Sequence, residues 1–382
     1  MKQGWRSKKL GDVCEVIAGQ SPKGEYYNSD GVGLPFYQGK KEFTGKYIGL
    51  PKKWTSVTTK EALKDDVLMS VRAPVGPVNF STQRICIGRG LAAIRTGSLI
   101  NKEFLYNFLV NHENQIVGNT GAVFNSINQT QIKSIPIPVP PLEEQKQIVA
   151  KLDQCFEAID KAKANAAKNL ENAKELFQSK LNEIFSQKGE GWVEKKLGDA
   201  YDVRDGTHDS PKYQDNGFPL ITSKNLKNGL ITLDKIKYIS EDDYLSINKR
   251  SKVDVGDILF AMIGTIGNPV VVRNEPDFSI KNVALFKVSK NNDSDFLRYY
   301  LEYSTKVMRD EAKGTTQKFV GLGYLRNFTI SLPDLDTQKK VVCQLKRLNK
   351  QTQSLESKYQ QELNSLEELK KSILQKAFEG EL

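Results

Sequence analysis

The chain has 382 residues, of which 38% are hydrophobic and 27% charged, and a formal net charge of +10. The length predicts more than one domain and the composition a folded chain with real cores, whereas the basic balance points to a polyanionic partner. Cysteines standing alone at Cys14, Cys86, Cys155 and Cys343, with only His112 and His208 beside them, argue against a disulfide framework and against a structural metal site.

The chain begins "MKQGWRSKKL", which has no apolar signal region, and no later run is long enough to span a bilayer; a cytoplasmic protein is expected. Residues 1–141 carry 18 Lys+Arg against 10 Asp+Glu, so most of the positive excess lies there. Residues 142–188 carry 8 against 8, residues 189–333 carry 21 against 20, and residues 334–382 carry 9 against 8. Within the first part, "DVLMSV" beside Gly-Pro turns reads as a buried strand, and "NKEFLYNFLVNHENQIV" has the spacing of a helix. "SIPIPVP" reads as a closing strand with prolines suited to an edge.

A long helix then begins. Pro140 and Pro141 suit its first turn, where a missing N–H costs nothing, and Glu143 and Glu144 favour the positive end of its dipole. Apolar side chains follow at Ile148, Leu152, Cys155, Ile159, Ala162, Ala166, Leu170, Ala173, Phe177, Leu181 and Ile184. That alternating spacing of three and four is a coiled-coil seam.

The second half repeats the first. "GWRSKKLGDVCEV" at Gly4 returns as "GWVEKKLGDAYDV" at Gly191, and "DVLMSV" as "DILFAMI". "DSDFLRYYLEYSTKVMRDEA" gives the second helix and "FTISLP" the second closing strand. From there Gln145 matches Gln338, Leu152 matches Leu345 and Phe185 matches Phe378. The second seam runs through Val341, Leu345, Leu348, Thr352, Leu355, Tyr359, Leu366, Leu369 and Ile373, with Glu362 interrupting it. A period near 190 residues is a duplicated domain rather than a solenoid.

Four segments follow: globular 1–140, helical 141–188, globular 189–333 and helical 334–382. Each seam needs a partner, and pseudo-twofold symmetry favours antiparallel pairing of the two helices. A coiled coil used only for homodimerisation is the alternative reading. The fold class is therefore α+β: two α/β domains separated by two long helices that pair as an antiparallel coiled coil, with a pseudo-twofold internal repeat.

Catalytic motifs are scarce. "GKKEFTGKY" spaces its glycines one residue too far apart for a phosphate loop, and "GLGYLR" lacks the third glycine of a dinucleotide turn. "NEPDF" is no methyltransferase tetrapeptide, and no nucleophile elbow is present. The chain reads as a recognition subunit or a scaffold rather than an enzyme.

The order and double occurrence of several motifs resemble the specificity subunit of Type I restriction–modification systems. They are "GWxxKKLGD" opening each unit, "PLEEQKQIVAKLD" at Pro141, "DGTHDSPKY" at Asp205, "GTTQKFVGLGYLRNFTISLP" at Gly314 and the C-terminal "LKKSILQKAFEGEL". The resemblance implies two target-recognition domains, each reading half of a split target in double-stranded DNA, and helical spacers that dock two methyltransferase subunits. It implies that restriction subunits join that core in a bacterial or archaeal cytoplasm. S-adenosylmethionine, ATP and magnesium would then belong to those partners, with no cofactor or metal on this chain and no membrane. A rigid spacer suits half-sites about one helical turn, roughly 34 Å, apart.

On that reading, base-edge donors, base-edge acceptors and phosphate-binding cations should lie on loops. In the first domain, "QSPKGEYYNSDG" and "FYQGKK" offer Lys23, Tyr26, Tyr37, Gln38 and Lys40. Arg72, Arg89, Asn119, Thr120 and Asn125 are further candidates there. In the second domain, "DGTHDSPKY" offers His208, Asp209, Ser210, Lys212 and Tyr213, and "ITSKN" offers Thr222, Lys224 and Asn225. Lys281 and Asn282 match Arg89 by the repeat, and Thr315, Thr316, Gln317 and Lys318 match the Asn119 region roughly. Each Asn, Asp, Ser or Thr could instead be a turn or capping residue. The loop mixture favours base contact by His208 and Asp209. The rival function is a non-catalytic coiled-coil scaffold or a homodimeric DNA-binding protein without restriction–modification partners.

Overall fold

The computed structural model describes residues 4–113, 119–120 and 125–382, with the side chains of 119, 120 and 125 outside the description. The chain divides into two compact units, one within Met1–Ala167 and Gln360–Leu382, the other Lys168–Tyr359. Each unit therefore joins one globular domain to part of each long helix, a division that cuts across the four segments read from the sequence.

In the first unit, Arg6–Lys9 pairs antiparallel with Pro136–Val139. This isolated two-stranded ladder tolerates Pro136 and Pro138, which have no N–H to donate. The "KKLGD" motif follows as the turn Leu10–Val13. Leu10 is fully buried, and its N–H donates to the Ile135 carbonyl at 2.8 Å. Gly11 lies so close to the helix Gln129–Ser134 that a Cβ there would stand 2.8 Å from Lys133 Cβ.

A four-stranded antiparallel sheet follows, ordered Cys14–Ala18, Leu91–Thr96, Val67–Ser70, Val78–Phe80. Its side chains alternate strictly, as a sheet covered on both faces requires. Val67, Met69, Ala92 and Ile94 face the core that holds the helix Lys102–His112. Leu68, Leu91 and Ala93 face Tyr37, Ile85 and Ile87 of a second, five-stranded sheet. In that second sheet Leu34–Tyr37 and Ile85–Ile87 run parallel.

The second unit repeats the two-stranded ladder and the four-stranded order, while its adjoining sheet has three strands. Val193–Lys196 pairs with Thr329–Leu332, and the Leu197 N–H donates to the Phe328 carbonyl at 2.8 Å. Gly198 would place a Cβ 3.1 Å from Arg326 Cβ. The four-stranded order is Asp202–Asp205, Val283–Lys287, Ile258–Ala261, Gly267–Val271. Phe218–Ile221 and Ser279–Ile280 form the parallel pair of the adjoining sheet. Here Ile258, Phe260, Ala284 and Phe286 face the core under the helix Ser294–Asp310.

The long helices are Leu142–Gln187 and Leu335–Glu379, with 46 and 45 residues. At 1.5 Å per residue each is about 70 Å long. In the first unit the start of one meets the end of the other: Ile148, Val149 and Leu152 share a core with Leu374, Ala377 and Phe378. The ion pairs Lys163–Glu367 and Asp160–Lys370 step in opposite directions along the two helices, so the pairing is antiparallel. In the second unit the end of the first helix, Leu181 and Phe185, packs with the start of the second, Val342 and Leu345. Leu355 and Leu369 depart from the expected seam and are exposed. Burial there falls at seven-residue steps, Leu345, Thr352 and the half-buried Tyr359, which turns Leu355, between the last two, outward.

The two helix ends exchange their phenylalanines. Phe378 stacks edge-on against Phe104 and Phe108, with ring centroids 5.1 and 5.6 Å away. Its repeat counterpart Phe185 does the same against Phe296 and Tyr300, at 5.5 and 5.4 Å. Each repeat thus supplies the aromatic plug of the helix that belongs to the other.

A buried glutamine clasps each strand-to-helix junction. Gln145, fully buried, accepts from the Asn101 N–H at 2.8 Å and donates to the Leu99 and Pro140 carbonyls at 2.9 and 2.8 Å. Gln338 accepts from the Asp293 N–H at 2.8 Å and donates to the Pro333 carbonyl at 2.9 Å. Asn101 and Asp293 are themselves the N-caps of the domain helices, so one side chain ties three segments together.

Candidate nucleic-acid interface

In both units the first strand of the four-stranded sheet ends at a glycine and opens into a loop. The Gly19 N–H donates to Leu91 and the Gln20 N–H to Ile87; the Gly206 N–H donates to Val283 and the Thr207 N–H to Ile280. A Cβ on either glycine would fall 2.2 Å from a carbonyl oxygen, Gly88 O in one unit and Ile280 O in the other. Only glycine allows this approach. It brings the loop against the turn that joins the parallel strand to the sheet, Gly88 to Gly90 in the first unit and Lys281–Asn282 in the second.

In the first unit the loop and turn line an open surface groove of about 400 Å³, formed by Gly19, Gln20, Ser21, Pro22, Lys23 and Arg89. The Gln38 Nε2 donates to Ser21 Oγ at 3.0 Å, and Ser21 Oγ also accepts from the Arg89 N–H at 3.3 Å. Lys23 and Arg89 are exposed beside it, and Tyr26 and Lys40 are half-buried. Tyr37 is corrected: it is 2% exposed, and its hydroxyl donates to the Gly49 carbonyl, so it is a core residue with no surface for a base. Tyr37 ends the buried strand Leu34–Tyr37 and packs with Ile85 and Ile87, whereas Gln38 lies just past the strand's end and is exposed. Arg72 is exposed, and its backbone bridges to Ser126. Asn119, Thr120 and Asn125 belong to a short ladder, Asn119 opposite Ser126 and Thr120 opposite Asn125, but their side chains lie outside the described residues.

In the second unit the loop is knitted to the turn. His208 Nε2 lies 2.8 Å from Asp205 Oδ2, and Nδ1 lies 2.8 Å from Asn282 Oδ1. Arg250 donates to Asp205 Oδ1 at 3.1 Å and to the Gly206 carbonyl at 2.9 Å. The hydrogen bonds to Asn282 and Asp205 raise the His208 pKa above its ordinary value. Both ring nitrogens are engaged within the protein, so direct base contact by His208, expected from the loop's composition, is not its role in this arrangement.

Lys281 Nζ donates to Ser210 Oγ at 2.6 Å. Asp209 and Lys212 are exposed, and Lys237 Nζ stands 3.9 Å above the ring of Tyr213. Asn225 is corrected, being 4% exposed. It accepts from the Thr222 N–H and hydroxyl at 3.0 and 2.9 Å and donates to the Thr232 carbonyl. Thr222 is spent on the same turn, whereas Lys224 between them is exposed. The turn chemistry that flagged these residues is what holds them inward.

Thr315, Thr316, Gln317 and Lys318 are all exposed, on a loop closed by the Lys313–Phe319 bridge. Phe319 also bridges Ile263, as Ser126 bridges Arg72, so this loop and the 119–126 ladder occupy equivalent places. Sequence reasoning missed Arg250 and Lys237. Arg250 lies on the helix Glu241–Ser251, 45 residues from Asp205, with no local signal to connect them. Among the described residues, no cluster of His, Cys, Asp and Glu could hold a metal ion, and no helix is long and apolar enough to cross a membrane.

A sequence profile described as the Type I restriction modification DNA specificity domain matches residues 2–169 and again 189–365. A protein of Methanocaldococcus jannaschii named as a candidate MjaX type I restriction enzyme specificity subunit is 39% identical over 186 residues. That alignment takes in 46% of this chain and 42% of the relative, less than half the length of either. The EcoKI specificity subunit of Escherichia coli K12 is 23% identical, over 100% of this chain and 90% of its own. Among solved structures, a chain from a study of complex assembly and conformational transition in the type I R-M system superposes with a TM-score of 0.79. It is 23% identical, and the match covers 100% of this chain and 99% of that one. The HsdS subunit from Thermoanaerobacter tengcongensis gives a TM-score of 0.68 at 21% identity, covering 100% of this chain and 98% of its own. These two likenesses concern the fold.

Proposed function

The chain belongs to the Type I restriction modification DNA specificity family, and from that premise we propose that it reads a two-part DNA target and directs methyltransferase and restriction subunits to it. Each unit takes one half-site. The chain itself does no chemistry: S-adenosylmethionine, ATP and magnesium are used by the partners, in the cytoplasm of a bacterium or archaeon. Two methyltransferase subunits dock on the helical regions.

The observation that carries this reading is the doubled loop-and-turn. The two units hold it with the same backbone bonds, yet fill it with different side chains: Ser21, Lys23 and Arg89 in one, His208, Ser210, Lys281 and Asn282 in the other. A repeated scaffold with divergent polar tips is what two different half-sites require. The rest of the polar surface serves position rather than sequence, since cations on phosphates give affinity without base preference.

The test is a map of methylated adenines in the host genome with this gene intact and deleted. A split, asymmetric motif should disappear on deletion. Exchange of residues 1–140 for those of a relative should change one half of that motif and leave the other. Both halves changing together would refute independent reading, and methylation by the purified chain with S-adenosylmethionine would refute the non-catalytic assignment.

A further inference from the structure

We infer that Asn282 is the residue through which the second unit tells one base pair from another, and that His208 and Asp205 fix the direction of its carboxamide. The inference deepens the proposed reading of DNA and rests on it.

Asn282 sits at the turn between Ser279–Ile280 and Val283–Lys287 with φ +54°, a conformation that Asn tolerates better than most residues. Its backbone is pinned on both sides. The N–H donates to the Thr207 carbonyl at 3.1 Å, and the carbonyl accepts from Ser223 Oγ at 3.3 Å. Only the half-exposed side chain has freedom left.

The chemistry of the neighbours removes that freedom. Asp205, 9% exposed, already accepts from Arg250, and an ionised carboxylate can only accept. His208 Nε2, 2.8 Å from it, must therefore carry its proton. At the other nitrogen, Nδ1 lies 2.8 Å from Asn282 Oδ1, an oxygen that can only accept, so in this arrangement the ring carries a proton there as well and donates it. The charged groups facing the ring are the Asp205 carboxylate and the Arg250 guanidinium, and the net effect of the surroundings is a raised His208 pKa. With its oxygen held by His208, the carboxamide turns its NH₂ group outward, and that nitrogen has no partner among the described residues. A free Asn can present either a donor or an acceptor; His208 protonated at both nitrogens and held by Asp205 makes this one a donor.

The first unit supplies the comparison. Its equivalent turn carries Arg89, whose guanidinium is a donor in every orientation. Among the described residues no histidine faces it; the loop there offers Ser21, which takes the Arg89 N–H. The orienting pair is present where the turn residue is ambiguous and missing where it is not. A fixed donor selects an acceptor on the base edge, such as purine N7, guanine O6 or thymine O4, and rejects the amino group of cytosine.

The experiment uses the full chain assembled with its host's methyltransferase subunits and a pool of duplexes of randomised sequence, with bound sequences read out. Asn282→Gly keeps the backbone conformation and removes the carboxamide. It should flatten the preference at one base pair of one half-site, by roughly 5- to 150-fold, and leave the other half-site intact. Asn282→Asp replaces the donor by an acceptor and should move the preference at that pair to cytosine. His208→Ala frees the carboxamide and should broaden the preference at the same pair only, an effect that general loss of stability would not produce. If the unaltered complex selects a motif but Asn282→Gly weakens every sequence alike, or leaves the motif unchanged, the inference is overturned while DNA reading stands. A complex that selects no sequence at all overturns both.

Discussion

Replacing Gln145 by Met tests how the reading domain is fixed to its helix. Met has nearly the same length and helix propensity but can neither accept nor donate the three hydrogen bonds that Gln145 makes to Asn101, Leu99 and Pro140. At about 1 kcal/mol net for each bond, the loss is about 3 kcal/mol, rising toward twice that if no water reaches the stranded backbone groups. The chain divides into two compact units, so a single global midpoint is not well defined and a local probe is needed. Trp5 and Trp54 report on the first unit and Trp192 on the second, which makes Trp192→Phe a background in which fluorescence follows the first unit alone. With a urea slope of about 2 kcal/mol/M, the first unit's midpoint should fall by roughly 1.5 M. Gln145→Glu keeps the acceptor for the Asn101 N–H and loses the donors, so it should fall between wild type and Met. Gln338→Met should leave this transition where it is and lower the one reported by Trp192 in the native background. A midpoint shift below about 0.3 M for Gln145→Met would refute the clasp.

Gly11→Ala should destabilise the first unit by about 1–3 kcal/mol, because its Cβ meets Lys133 Cβ at 2.8 Å, and Gly198→Ala the second unit by less, at 3.1 Å from Arg326 Cβ; calorimetry of each variant measures both. The two histidines should titrate on opposite sides of the usual value by NMR, His208 above it through Asn282 and Asp205, and His112 below it through burial. The stabilising contribution of His208 is therefore complete below the unfolded value near 6.5 and disappears as pH rises through the higher folded one. That of His112 is present above the unfolded value and lost as pH falls through the lower folded one; His208→Ala should abolish only the first trend. Lys52, exposed in the more basic domain, should contribute to DNA affinity without sequence preference. Lys52→Ala should weaken all duplexes alike and reduce the log–log salt slope by about 0.9 if it contacts one phosphate, as a salt series would show.

The sequence by itself determined the parts that repeat. Glycine in "KKLGD", the glutamine at the fifth position of each helical segment and the seven-residue stripe recur because local geometry admits few substitutes, so comparing the chain with itself exposes them. It also located the candidate loops, since turn chemistry is local. Tertiary structure alone decided which way each polar residue faces. Tyr37 and Asn225 carry the same turn and strand signals as their exposed neighbours Gln38 and Lys224, and only packing against Leu68, Ile85 and Ile87 and the capping bonds to Thr222 and Thr232 put them inside. The link between His208 and Asn282 joins residues 74 apart, and Arg250 reaches Asp205 across 45, distances at which no pattern in one sequence pairs two side chains. Phe185 and Phe378 are equivalent in the sequence, yet each closes the core of the helix from the other repeat. Periodicity states that a stripe must be buried; what buries it depends on how the chain returns on itself, and that is decided only when the long-range contacts form.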